Sequence, residues 1–109
     1  MTRKLLVLNN PASGGRRKNQ NILRELKAFL SSNEIETQIC STEPNRNAWK
    51  TIEDQLDDSF TDLVIVGGDG TINEAVNGLK FDIPMTIIPT GTGNDFVKNI
   101  PQHHFVDFL

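Results

Sequence analysis

The sequence predicts an α/β fold, a three-layer αβα arrangement around a mainly parallel sheet. Two observations carry the prediction. Short solid apolar runs, Leu5 to Leu8 and Leu63 to Val66, alternate with stretches whose apolar residues recur at helical spacing. Solid runs suit strands covered on both faces, the usual condition of a parallel sheet. The strand–helix order then repeats along the chain, which places helices on both faces.

The elements follow in order. Leu5 to Leu8 is a first strand that stops at Asn9-Asn10-Pro11. Ile22, Leu23, Leu26, Phe29 and Leu30 mark a helix ended by Ser31-Ser32-Asn33. Ile35 to Cys40 alternates and reads as a second strand. Ala48, Trp49, Ile52 and Leu56 mark a second amphipathic helix, with Trp49 expected in the core. Leu63 to Val66 is the third strand, closed by Gly67-Gly68-Asp69-Gly70. Ile72, Ala75, Val76 and Leu79 share one helix face, and Asn77-Gly78 supplies the stop. Met85 to Ile88 is the fourth strand, with a short helical piece expected from Asn94.

Three strands end in loops of similar chemistry: Asn9 to Gly15, Gly67 to Thr71, and Pro89 to Asp95. A parallel sheet collects such loops on one rim, where ligands bind. Glycines let backbone N–H groups approach an anion, and hydroxyls add donors, so the composition suits a phosphate. In the middle loop Thr71 and Glu74 have the spacing of a capping box, which predicts a helix starting at Thr71. Asp69 stands out there, because a carboxylate repels phosphate. It suits a residue that holds Mg²⁺, directly or through water, or accepts a ligand hydroxyl, and it equally suits a turn in which it caps neighbouring amides.

The third loop repeats the pattern with Thr92 and Asp95, and Asn94 is placed to meet a base or ribose or to stay a plain loop residue. Arg16-Arg17-Lys18 suits either phosphate contact or a solvated helix start. The P-loop pattern fails after Gly15, and the dinucleotide pattern fails where Asn73 replaces its last glycine. His103-His104 has no metal-ligand partner at helical spacing, and Ser13 has no triad-like histidine, so no metal site is assigned and nucleophilic catalysis is not expected.

Composition narrows the class. The 109 residues carry 11 Lys and Arg against 14 Asp and Glu, a formal net charge of -3. That balance argues against general nucleic-acid binding. At 37 % hydrophobic and 23 % charged, the chain reads as one small globular domain. Cys40 is the single cysteine, which excludes an internal disulfide and fits a reducing, cytoplasmic setting. No apolar run is long enough to span a membrane, and the start lacks a secretory signal. The end at Phe105, Phe108 and Leu109 suggests a domain that continues in a longer parent.

Taken together, Asn10-Pro11-Ala12-Ser13-Gly14, Gly67-Gly68-Asp69-Gly70-Thr71-Ile72-Asn73-Glu74 and Pro89-Thr90-Gly91-Thr92-Gly93-Asn94-Asp95-Phe96 resemble the N-terminal part of the diacylglycerol kinase catalytic-domain family. That family includes bacterial lipid kinases and sphingosine kinases. The middle segment alone is also similar to the motif of NAD kinases and phosphofructokinases, and the implied fold is their nucleotide-binding domain. The resemblance implies ATP and Mg²⁺, with γ-phosphoryl transfer to a lipid hydroxyl. It places the nucleotide at Gly67, Gly68, Asp69, Gly70, Thr71, Ile72 and Asn73, with Asn10, Pro11, Ala12, Ser13, Gly14 and Thr92 nearby. A family threonine falls on Ser41, with Thr42 as the alternative. Asp69 is the expected catalytic or metal-organising carboxylate.

Family members carry a second, β-rich domain with further metal ligands and the catalytic base. The resemblance therefore implies that residues 1–109 are the ATP-binding half, inactive alone, of an enzyme that meets its lipid at the membrane surface; its oligomeric state, a homodimer among the options, stays open. Two alternatives are an NAD-kinase-like enzyme and a non-catalytic nucleotide-binding module.

Overall fold

The computed structural model describes residues 3–12, 15–42 and 48–90. Within them the order is β1 (Lys4–Asn9), α1 (Arg16–Ser32), β2 (Glu36–Ser41), α2 (Ala48–Gln55), β3 (Asp62–Gly67), α3 (Asp69–Asn77) and β4 (Met85–Pro89). The four strands form one sheet in the order β2-β1-β3-β4, and every neighbouring pair is parallel. The predicted α/β class and parallel sheet are thus present. The helical piece expected from Asn94, and the tail beyond it, lie outside the described residues.

The topology fixes the layers. From β1 to β2 the chain steps one way across the sheet; from β2 to β3, and again from β3 to β4, it steps the other way. Right-handed crossovers therefore put α1 on one face and both α2 and α3 on the opposite face. The core divides accordingly. Leu5, Val7, Val64, Val66 and Ile88 pack with Ile22, Leu26 and Leu30 of α1. Leu6, Leu8, Leu63 and Ile65 pack with Ala48 and Ile52 of α2 and Ala75 of α3. Each solid run in β1 and β3 thus feeds two cores by simple alternation, which is why neither run shows a polar face. β2 is an edge strand, and from Glu36 to Ile39 its residues alternate between exposed and half-buried.

At the other end of the sheet, Arg3 grips Asp62 through two parallel hydrogen bonds, Nε to Oδ1 at 3.3 Å and Nη2 to Oδ2 at 3.0 Å. This pins the start of β1 to the start of β3. α1 closes with a Schellman motif: Glu34 N–H donates to Ser31 O and Ile35 N–H to Leu30 O, with Glu34 in the left-handed region at φ 54°. Asn33 adds a bond from its side-chain amide to Phe29 O at 2.8 Å.

One core expectation is corrected. Trp49 is exposed, and α2 turns Ala48, Thr51 and Ile52 inward instead. The cause lies at Gly78, where a Cβ would strike the backbone carbonyl of Trp49. α3 approaches α2 too closely there to leave room for an indole between them. Val76 is likewise exposed, and Thr71 and Ala75 are the buried residues of α3.

Candidate functional site

Because β1 leads off to β2 on one side and β3 to β4 on the other, the sheet has its switch point between β1 and β3. A crevice opens at the carboxyl ends of those two strands, the place where open α/β sheets bind ligands. The first loop enters it through Asn10, whose N–H donates to Val66 O at 3.1 Å. Its side-chain Nδ2 donates to Thr71 Oγ1 at 3.0 Å, and its Oδ1 accepts from the N–H of Ala12 at 3.1 Å. One asparagine thus shapes its own loop and ties it to the helix opposite. Pro11 and Ala12 are exposed beside it.

Behind this loop lies a pair that the sequence reading did not single out. Asn19 Nδ2 donates to Asn9 Oδ1 at 2.7 Å and to the backbone O of Asn10 at 3.1 Å, while Asn9 Nδ2 donates to Asn19 Oδ1 at 3.2 Å. Both residues are 2 % exposed. The signal was present: Asn19 sits three positions before Ile22 and seven before Leu26, on the apolar stripe of α1, where a polar residue is out of pattern.

On the other side of the crevice, β3 runs into α3 through Gly67 and Gly68. A Cβ on Gly67 would lie 2.9 Å from both Cβ and Oγ1 of Thr71, so only glycine allows the first turn of α3 to fold back on the strand. Gly68 is the extended N-cap residue, and Ile72 N–H donates to Gly68 O at 3.1 Å as the first helical bond. The N–H groups of Asp69, Gly70 and Thr71 consequently have no acceptor one turn back in the helix. They form the positive end of α3, facing the crevice. A Cβ on Gly70 would meet nothing within 4 Å, so the space beside it is open.

The capping-box expectation is corrected here. The helix starts at Asp69 rather than Thr71, and Gly68 caps it without a side-chain bond. Thr71 is buried and takes the amide of Asn10. Glu74 reaches out of its own helix, and its Oε2 accepts from the N–H of Ala48 at 3.1 Å, at the start of α2. Asp69 is exposed in the first turn of α3, and its N-cap, Gly68, has no side chain with which to cap the helix.

The remaining candidates divide. Ile72 packs against the α2 and α3 core, whereas Asn73 is exposed. Ser41 ends β2 opposite Asn9 in register and is exposed, and Thr42 N–H donates to Asn9 O at 2.8 Å. Thr90, the first residue past β4, is fully buried with its N–H on Gly67 O at 3.3 Å. The structure therefore brings Asn10, Gly67, Gly68, Asp69, Gly70 and Thr71 around one crevice. Ser13, Gly14 and Thr92 lie outside the described residues. Among the described residues no group of three His, Cys, Asp or Glu side chains is placed to hold a metal. No helix among them is long and apolar enough to cross a membrane.

Comparison with known proteins agrees with this fold. The model of the family described as diacylglycerol kinase catalytic domain matches residues 4–107. Sphingosine kinase 2 of Arabidopsis thaliana is 26% identical over 106 residues, which is 90% of this chain and 22% of that protein. A crystal structure of a diacylglycerol kinase from Bacillus anthracis superposes with a TM-score of 0.65 at 29% identity, covering 92% of this chain and 38% of that one. An NAD kinase from Archaeoglobus fulgidus, solved in complex with ATP, has the same fold at a TM-score of 0.52 and 21% identity. The chain thus spans well under half the length of these relatives.

Proposed function

The chain belongs to the diacylglycerol kinase catalytic-domain family, and from that membership we propose that it forms the nucleotide-binding half of an ATP-dependent lipid kinase. The reaction is transfer of the γ-phosphoryl group of ATP to a hydroxyl of diacylglycerol or a related lipid. The observation that carries this reading is the start of α3. It offers N–H groups with no acceptor within the helix, a neighbouring carboxylate and open space beside Gly70, all at the switch point.

The residues fit a magnesium-bound triphosphate. Backbone N–H groups of Asp69, Gly70 and Thr71 can donate to phosphate oxygens, as helix N-termini do. Arg16 and Arg17, exposed at the start of α1, add positive charge where the helix end is already positive; an anion there relieves that repulsion. Asp69 is a single carboxylate, which suits Mg²⁺, since that ion keeps several waters and shares its remaining sites with phosphates. When bound, the ion would neutralise charge that builds up on the phosphoryl group.

This chain's residues would contribute position more than chemistry. Phosphoryl transfer depends mainly on alignment and electrostatic stabilisation. Asn10 and Thr71 hold the two sides of the crevice in register, and Gly67 keeps α3 against β3. The lipid and the groups that act on its hydroxyl would be met outside residues 1–109, at a membrane surface reached by the whole enzyme.

The test is a titration of this chain with Mg-ATP, followed by backbone amide NMR with NAD as comparator, together with a lipid and NAD panel on the full-length protein. Saturable shifts centred on Gly67 to Asn73 and a phosphorylated lipid are expected. Phosphorylation of NAD instead of lipid overturns the lipid assignment. A full-length protein that binds ATP and transfers nothing is a nucleotide-binding module.

A further inference from the structure

Two amides buried side by side under a loop call for an explanation. Asn9 and Asn19 occupy the junction of β1 and α1, and Ile22, Leu26 and Leu30 continue the same stripe as core. Apolar side chains at both positions would extend that core without desolvating two primary amides. The pair therefore has a use other than burial.

The use lies in where its third bond goes. Two bonds close the pair on itself, and the third runs from Asn19 Nδ2 to the backbone O of Asn10. Asn10 is the residue whose side chain then holds Thr71 and the N–H of Ala12. A continuous chain of hydrogen bonds runs from the first turn of α1, through Asn19 and Asn10, to the first turn of α3. No buried side-chain nitrogen or oxygen among the described residues lacks a partner, so nothing in this chain is free to rearrange at no penalty.

We infer that Asn19, braced by Asn9, is a positioning residue: it fixes the carbonyl of Asn10, and so the distance between the two helix N-termini that flank the phosphate crevice. This rests on the kinase reading above. Asn19 touches no substrate; it acts through Asn10. Loss of the tether widens the set of positions open to the Asn10–Ala12 loop, and the penalty falls on holding the nucleotide.

The experiment replaces both amides with side chains of the same branching, Asn9→Leu with Asn19→Leu, in the full-length protein. Removing both partners together leaves no orphaned amide, so the fold is retained. The expected result is a KM for Mg-ATP raised about tenfold with kcat nearly unchanged. The amide proton of Ala12 exchanges faster with water, while those of Val64 and Val66 do not change. An unchanged KM with unchanged Ala12 exchange overturns the inference. Should the double variant fail to fold, Asn19→Ala carries the same test, since it removes both bonds donated by Asn19. Should the parent phosphorylate no lipid, the kinase reading fails. The Kd for Mg-ATP and the exchange of Ala12 then still decide the tether.

Discussion

The carboxylate of Glu74 caps a helix it does not belong to: its Oε2 accepts the N–H of Ala48, 26 residues earlier, at 3.1 Å. A helix N-terminus leaves N–H groups without partners, and a charged acceptor there satisfies one of them. Glu74→Ala should therefore lower stability by about 1 kcal/mol, the usual value of a lost cap. For a domain of this size that is a fall in Tm of roughly 4–8 °C. Glu74→Gln keeps an acceptor oxygen and should recover most of the loss. Thermal denaturation of the three proteins checks it, and equal melting for all would show that the bond contributes nothing.

That bond also shows where sequence reading stops. Thr71 and Glu74 have capping-box spacing, yet neither caps α3, because the closeness of α3 to β3 at Gly67 buries Thr71 and the closeness of α2 turns Glu74 outward. Spacing along a chain records local partners, and these two residues took tertiary ones. The strands β1 and β3 were legible because burial on both faces leaves unbroken apolar runs, and β2 was legible from its alternation. The approach of the first two loops was legible because loops after parallel strands gather at one end. Trp49 was misplaced because its apolar character says nothing of how closely Gly78 lets α3 approach. Glu34 at φ 54° carried no signal, since glycine or asparagine is the usual residue there.

Asp62 should shape the acid limb of stability. Burial pushes its carboxyl up, but hydrogen bonds from Arg3 and Thr61 and the charge of Arg3 outweigh that, and the net shift is downward. A carboxyl depressed in the folded state contributes stability above its unfolded value of roughly 3.9 and loses it as pH falls through the folded value. Tm should thus decline below about pH 4 in the parent, and less steeply in Asp62→Asn. Parallel acid limbs in the two proteins would remove Asp62 from the account.

Burial pushes the Cys40 thiol up to about 11, against a smaller opposing effect of a backbone hydrogen bond. The thiolate is the reactive form. At pH 8 a shift of about two units from 9.0 leaves about a hundredfold less thiolate than an unfolded chain presents. Native protein should react slowly with an aromatic disulfide reagent and promptly once unfolded in urea. Equal rates would mean that Cys40 is reached without opening of the β2 edge.

Asp69 is exposed, so its replacement separates chemistry from folding. Asp69→Asn forfeits only a favourable charge at a helix N-terminus, about 0.3–1 kcal/mol. If the carboxylate organises Mg²⁺ and the phosphates, kcat of the full-length enzyme should fall by roughly a hundredfold or more. Activity near that of the parent would assign the electrostatic work to other residues.

Gly67 and Gly70 stand three residues apart and should respond in opposite ways. Gly67→Ala sets a Cβ 2.9 Å from the Cβ of buried Thr71, so stability should drop by about 1–3 kcal/mol, as overpacking does. Gly70→Ala adds a Cβ where nothing lies within 4 Å, at a helical position that favours alanine by up to about 1 kcal/mol. Tm should hold or rise. If the phosphates reach the backbone of α3 through the open space beside Gly70, as proposed, the same methyl occupies that space and the KM for Mg-ATP should rise about tenfold. Stability gained while nucleotide binding is lost is the signature of a glycine kept for its ligand. If Gly70→Ala leaves the KM unchanged, the phosphates do not approach α3 from this side, and the crevice must be read from the Asn10 loop instead.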